Sequence, residues 1–132
     1  MLVVDSSACV SALIGRPPDE LLVVRLGDDG DLHAPHLVDI EVLHAIRRLW
    51  LGGELAEGRA AEALRDWDDL RLTRYPHQGL AARIWSLRHN LSAYDAAFVA
   101  LAEKLEVPLV TCDAKLGGAP LDGLTVEVYG LG

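Results

Sequence analysis

Leu2-Val3-Val4-Asp5-Ser6-Ser7-Ala8 opens the chain with an apolar run, an acid, two hydroxyl residues and the start of a second apolar run. The first run is too short for a helix and is followed by helix-capping residues, so it reads as a buried strand feeding a helix. The same order returns at Leu109-Val110-Thr111-Cys112-Asp113-Ala114-Lys115-Leu116, where an acid again follows the apolar run. Two such strands, separated by longer helical patterns, predict an α/β fold with a mostly parallel central sheet of about four to five strands between helices. Ligands of a doubly wound sheet bind beyond the carboxyl ends of its strands, where the strand order reverses. If these two strands are neighbours there, Asp5 and Asp113 face one another.

Between these strands the pattern alternates without repeats, low-complexity tracts or linkers, which predicts one domain over residues 1–132. After the strand Leu2 to Val4, a helix runs through Ala8 to Ile14, capped by Ser6 or Ser7 and ended by Gly15 and Pro17-Pro18. A second helix spans about Asp19 to Leu26, and a short strand about Leu32 to Ala34. A third helix covers Leu37 to Leu51 and stops at Gly52-Gly53. A fourth covers Glu57 to Asp66 and leads to a strand at Leu70 to Thr73. Pro76 opens a helix reaching His89, with Asn90 as its C-cap. Ser92 starts a helix through Leu105, then come the strand Leu109 to Thr111, a helical turn after Asp113 and a last strand at Leu124 to Val128.

Two more acids sit near the starts of apolar helices. Glu41 falls on a narrow polar stripe with His44 and Arg48, bordered by Val38 and Ala45. Asp95 has Phe98, Val99 and Ala102 on its helix face, so that face reads as buried. Each acid has an ordinary reading as well. Asp5 and Asp113 can be helix caps, Glu41 a solvated edge residue paired with His44, and Asp95 the acid of a capping box with Ser92. The joint placement of Asp5, Glu41, Asp95 and Asp113 near one end of one sheet favours function. Like charges gathered there give no folding benefit, and the cation they suit is Mg²⁺ or Mn²⁺, which prefer oxygen ligands.

The bulk properties narrow the setting. Hydrophobic residues make up 51% of 132, and the mean hydropathy is +0.20, which excludes a disordered chain. No apolar run approaches the roughly 18 to 20 residues of a membrane span. The opening residues lack a basic n-region, so a cytosolic protein without a cleaved signal is expected. Cys9 and Cys112 have no metal-binding spacing and read as small buried thiols. The net charge of −8 argues against broad binding to a phosphate backbone. Two bound divalent ions would roughly halve it.

At these residues the chain resembles the PIN-domain nucleases, and within them the VapC toxins of VapBC toxin–antitoxin pairs. The resemblance rests on Leu2-Val3-Val4-Asp5-Ser6-Ser7-Ala8, on Glu41, on Leu91-Ser92-Ala93-Tyr94-Asp95-Ala96-Ala97-Phe98 and on Leu109-Val110-Thr111-Cys112-Asp113. The third segment, with Asp three residues past Ser, is the most specific. The resemblance implies a PIN-like three-layer fold and a metal-dependent endoribonuclease. Asp5, Glu41, Asp95 and Asp113 would be its metal-binding acids, with Ser6 and Thr111 as small polar neighbours. Asp113 is the candidate for the fourth acid, since Asp122 lies beyond Gly117-Gly118. The implied substrate is single-stranded or loop RNA, cut to a 3′-hydroxyl and a 5′-phosphate.

Arg16, Arg47, Arg48 and Lys115 are candidate phosphate contacts, while one Phe, three Trp and three Tyr offer no stacking platform visible in the sequence. Trp50, Ile84 and Trp85 exceed what one core face needs, which suggests an exposed patch for homodimerisation and for a VapB-like antitoxin. The rival from another class is a catalytically silent PIN-fold interaction module, against which the four intact acids argue. A phosphoryl-accepting receiver domain fits poorly, because Asp5 is followed by Ser6-Ser7 and the predicted third strand by Arg74-Tyr75-Pro76.

Overall fold

The computed structural model describes residues 1–15, 17–119, 121 and 123–130, so Arg16 and Asp122 lie outside the described residues. Five strands form one sheet: β1 (Leu2–Val4), β2 (Leu32–Pro35), β3 (Thr73–Tyr75), β4 (Leu109–Thr111) and β5 (Val126–Val128). Their order is β3-β2-β1-β4-β5 and every pairing is parallel. The chain thus works outward from β1 to β3, crosses back to β4 and continues outward to β5. Strand order reverses between β1 and β4, where Val3 pairs with Leu109 and Val4 with Val110. Right-handed crossovers then place the helices made before and after the reversal on opposite faces of the sheet. The doubly wound expectation holds, and the two acids that close β1 and β4 stand at the switch point.

The helices are α1 (Ser6–Ile14), α2 (Glu20–Asp29), α3 (Val38–Leu51), α4 (Glu57–Asp69), α5 (Ala81–Ser86), α6 (Ala93–Leu105) and α7 (Ala114–Gly117). α1 packs on α3 and α4, while α6 lies across β1, β2 and β4 with α5 beside it. β1 and β4 are wholly buried, and so is α6 from Ala96 to Ala102. That is why both strands read as continuous apolar runs. Phe98, Leu101, Leu2 and Leu109 supply the largest fully buried side chains.

Some boundaries differ from the sequence reading. α2 extends to Asp29, where Gly30 closes it in the left-handed region at φ 65°. α4 extends to Asp69, and the last strand begins at Val126 instead of Leu124. The strand predicted at Leu70 to Thr73 forms at Thr73–Tyr75, because Leu70 and Leu72 pack against the core from the connecting segment. The helix predicted from Pro76 to His89 divides into a 3-10 turn, Gln78–Leu80, and the short α5.

An ion pair ties β3 to the start of α3. Arg74 donates from Nε to Asp39 Oδ2 at 2.6 Å and from Nη2 to Oδ1 at 2.9 Å, and Trp67 Nε1 donates to the same Oδ1 at 2.9 Å. The bidentate geometry restricts α3 two residues before Glu41.

Phe98 is 1% exposed on the helix that carries Asp95. Phe98→Ala is expected to lower stability by about 3–5 kcal/mol through the cavity it leaves. Urea denaturation monitored by circular dichroism checks this, and a loss below 1 kcal/mol would contradict the packing described.

Candidate active site

Asp5 is the buried centre of the carboxyl end of the sheet, at 5% exposure. Its backbone N–H continues the β1–β4 ladder by donating to the Val110 carbonyl at 3.1 Å. Its side chain caps α1: Oδ1 accepts from the Ala8 N–H at 3.0 Å and from the Ser7 hydroxyl at 2.7 Å. The Thr111 hydroxyl donates to Oδ2. Asp5, instead of Ser6 or Ser7, is therefore the cap, and both serines lie inside the first turn of α1.

Both serines then serve the site. Ser6 donates to Glu41 Oε1 at 3.3 Å. Ser7 accepts the Cys112 N–H at 2.9 Å while bonding Asp5, which stitches α1 to the end of β4. The sequence singled out Ser6 and Thr111 as polar neighbours and read Ser7 only as a possible cap. Nothing local could have found it, because its second partner is 105 residues away.

Thr111 is fully buried, and its Oγ1 also accepts the Asp113 N–H at 2.9 Å. Asp113 caps α7 by accepting the Lys115 N–H at 2.9 Å. Asp95 sits in the first turn of α6, whose N-cap Ser92 accepts the Asp95 N–H at 3.2 Å. Half of the expected capping box is thus present. Glu41 is half-buried, and its hydrogen-bond partner among the described residues is Ser6, not His44.

The four acids form one electrostatic group. Burial pushes the Asp5 carboxyl above its ordinary value, three hydrogen bonds offset part of the rise, and the charge of Asp95 adds to it. Burial likewise raises Glu41, with further upward pushes from Asp95 and Asp5. Burial raises Asp95, and the Asp113 carboxylate adds to it, against partial offsets from Ser92 and Lys115. Asp5, Glu41 and Asp95 are thus raised chiefly by burial, with a smaller push from neighbouring carboxylates, in contrast to the ion-paired surface acids.

The donor set is carboxylate and hydroxyl oxygen, the chemistry that suits Mg²⁺ or Mn²⁺. Among the described residues, no three His, Cys, Asp or Glu side chains stand close enough to enclose one ion. The acids therefore fit an ion held by one or two carboxylates that keeps most of its waters, as Mg²⁺ commonly does. Among the described residues, no helix is long and apolar enough to cross a membrane.

The PIN domain family matches residues 2–119. The chain belongs to the PIN domain family. Ribonuclease VapC9 of Mycobacterium tuberculosis is 46% identical over 116 residues, covering 88% of each chain. Ribonuclease VapC1 of the same organism is 44% identical over 127 residues, covering 96% of this chain and 94% of its own. Among solved structures, VapBC2 of Rickettsia felis bound to a promoter DNA fragment aligns at a TM-score of 0.71 and 13% identity over 98% of both chains. Mycobacterium tuberculosis VapC20, a sarcin-ricin loop cleaving toxin, aligns at 0.69 and 16% identity over 98% of this chain and 100% of its own. These structural likenesses establish the PIN fold. In sequence the chain resembles VapC ribonucleases.

The raised carboxyls make a signed prediction about stability. A group whose folded pKa exceeds its unfolded value contributes stability that is fully present below the unfolded value, near 4, and lost as pH rises through the folded one. Asp29, Asp39 and Glu127, held low by the N-terminal ammonium, Arg74 and Arg25, work in the opposite sense. The comparison must therefore be between variants. In chelator, Asp95→Asn is expected to melt at or above the wild-type temperature at pH 7, with the difference shrinking toward pH 4. A variant less stable than wild type at pH 7 would contradict mutual repulsion at this site.

Proposed function

We propose that this protein is a divalent-metal-dependent endoribonuclease, the VapC-type toxin of a toxin–antitoxin pair. The observation that supports the reading is the gathering of Asp5, Glu41, Asp95 and Asp113 around the switch point of a PIN fold, together with the similarity to VapC ribonucleases over nearly the whole chain. Asp5, Glu41, Asp95 and Asp113 would surround Mg²⁺ or Mn²⁺, one or two of them as direct ligands and the others through its waters. Bound there, the ion supplies a water of lowered pKa and neutralises charge on the phosphate.

The chain's own residues prepare that chemistry. Thr111, Ser7 and the Ala8 amide fix the Asp5 carboxylate, so its orientation does not depend on the ligand. Ser6 steadies Glu41, and the Asp39–Arg74 pair holds the start of its helix. Lys115, whose charge lowers Asp95, would be available as a cation for an incoming phosphate.

The partners follow from surface and charge. Trp50 is 45% exposed and Trp85 68%, whereas Ile84 packs against the core. The two tryptophans belong to separate surfaces, one on α3 against α4 and the other on α5 beside α6. The α3–α4 surface holds a cleft of about 290 Å³ lined by Leu43, Ile46, Trp50, Ala60 and Leu64. It suits the apolar segment of a VapB-like antitoxin. A basic antitoxin side chain near Asp5 and Asp95 would then silence the acids by occupying the place of the cation. Homodimerisation belongs to the same proposal, and light scattering that shows a strict monomer at tens of micromolar would remove it.

Asp95→Asn is the cleanest variant, because Asp5 also caps α1 and its replacement disturbs three hydrogen bonds. It is expected to reduce Mg²⁺-dependent RNA cleavage by at least about 100-fold, a loss of roughly 2.7 kcal/mol in transition-state stabilisation. Cleavage at the wild-type rate would sink the assignment. By linkage, Mg²⁺ or Mn²⁺ should also raise the wild-type melting temperature. An equal rise in a variant lacking all four acids would place the ion elsewhere.

A further inference from the structure

Beside the acids, one surface combines exposed aromatic rings with a cation. Trp85 on α5 is 68% exposed, and Tyr94 in the first turn of α6 is 66% exposed. The Arg88 guanidinium lies over the Trp85 ring, 4.7 Å from its centroid, and Nη1 donates to the Trp85 carbonyl at 3.0 Å. The cation is therefore held at the ring instead of ranging through solvent. Trp85 and Arg88 line a cleft of about 270 Å³ with His77, Ile84, Leu91 and Ala93, and among the described residues no acid lines it.

The cleft adjoins the acid end through two elements. Ala93 precedes Asp95 by two residues on α6. His77 Nε2 accepts the Leu37 N–H at 2.9 Å, at the start of α3 and one turn before Glu41. The His77 ring meets His36, just past β2, edge-on at 6.0 Å. A chain of net charge −8, with four acids at its centre, holds a polyanion only weakly away from local positive groups. An acid-free aromatic cleft carrying a fixed guanidinium is where a phosphate strand finds the opposite sign. An apolar protein face would instead have to desolvate Arg88.

We propose that Trp85 and Arg88 form a nucleotide subsite for single-stranded RNA. The Trp85 ring stacks on a base and Arg88 pairs with a neighbouring phosphate, which positions the strand across the acids. This rests on the ribonuclease reading and names the part of the substrate that the acids do not touch. Trp85 is a positioning residue. Stacking on aromatic rings tolerates any base, so the subsite confers a preference for unpaired RNA, not for a sequence.

The test compares wild type, Trp85→Ala, Trp85→Phe and Arg88→Ala in chelator. The probes are a short oligouridylate and an abasic ribose-phosphate oligomer of equal length. Trp85→Ala should weaken oligouridylate binding about 5- to 100-fold and leave the abasic oligomer unchanged, while Trp85→Phe retains most of the affinity. Arg88→Ala should weaken both and flatten the salt dependence. With Mg²⁺ present, Trp85→Ala should raise KM for RNA cleavage and leave kcat within about twofold. Unchanged binding of both probes, or equal loss on both, would overturn the subsite. So would a Trp85→Ala variant that sediments as monomer where wild type is a dimer, because a second copy would then be the occupant. A wild-type protein that cleaves RNA but is indifferent to Trp85 removes the subsite alone. One that neither binds nor cleaves RNA removes the ribonuclease reading, and the subsite with it.

Discussion

The buried carboxylate of Asp5 is the constraint from which the rest of the site follows. A carboxylate in a dry core is costly unless its oxygens are hydrogen-bonded. Here its three partners come from two places: Ser7 and the Ala8 amide in the first turn of α1, and a threonine at the end of a strand 106 residues away. Satisfying Asp5 therefore fixes the distance between α1 and the end of β4. The Thr111 hydroxyl spans the switch point by donating to Asp5 while accepting the Asp113 amide. One polar contact thus joins the two acids that the strand order brings together.

Burial in that arrangement raises Asp5, Glu41 and Asp95 above the ordinary carboxyl range. The surface acids with lowered pKa have a cation at hand, as Asp39 has Arg74 and Glu127 has Arg25. Asp5, Glu41 and Asp95 have hydroxyls and one another. The fold tolerates the repulsion because the apolar strands and α6 hold the backbone in place regardless of charge. Stability is carried by Phe98, Leu101, Leu109 and their neighbours.

The parts legible in the sequence were those with local causes. β1, β4 and the middle of α6 from Ala96 to Ala102 are buried, so their apolar runs declared them, and the acids closing each strand fell where a parallel sheet gathers them. The cap of α1 was not legible, because Asp5, Ser6 and Ser7 are all good caps and only Thr111 decides among them. Glu41 looked like an edge residue on a helical wheel, since the wheel cannot know that Ser6 of another helix meets it. β3 was displaced because its polar residues are paired across the fold. Arg74 reaches Asp39, and the Tyr75 hydroxyl lies 2.6 Å from His33 Nδ1. The Trp85 surface was invisible as a platform for the same reason: Arg88 and His77 acquire meaning only through neighbours that the chain order does not show.

Where a divalent ion binds is the most direct question to put to this molecule, since 20 acidic residues offer other places. Substoichiometric Mn²⁺ added to isotope-labelled protein broadens amide signals according to their distance from the ion. Binding at the switch point requires that Ala8, Glu41, Asp95, Cys112 and Asp113 broaden first, and that they stop doing so in Asp95→Asn. Broadening centred instead on the exposed acids around Asp28 and Asp31, or on Asp66 and Asp68, would contradict a metal site built around Asp5.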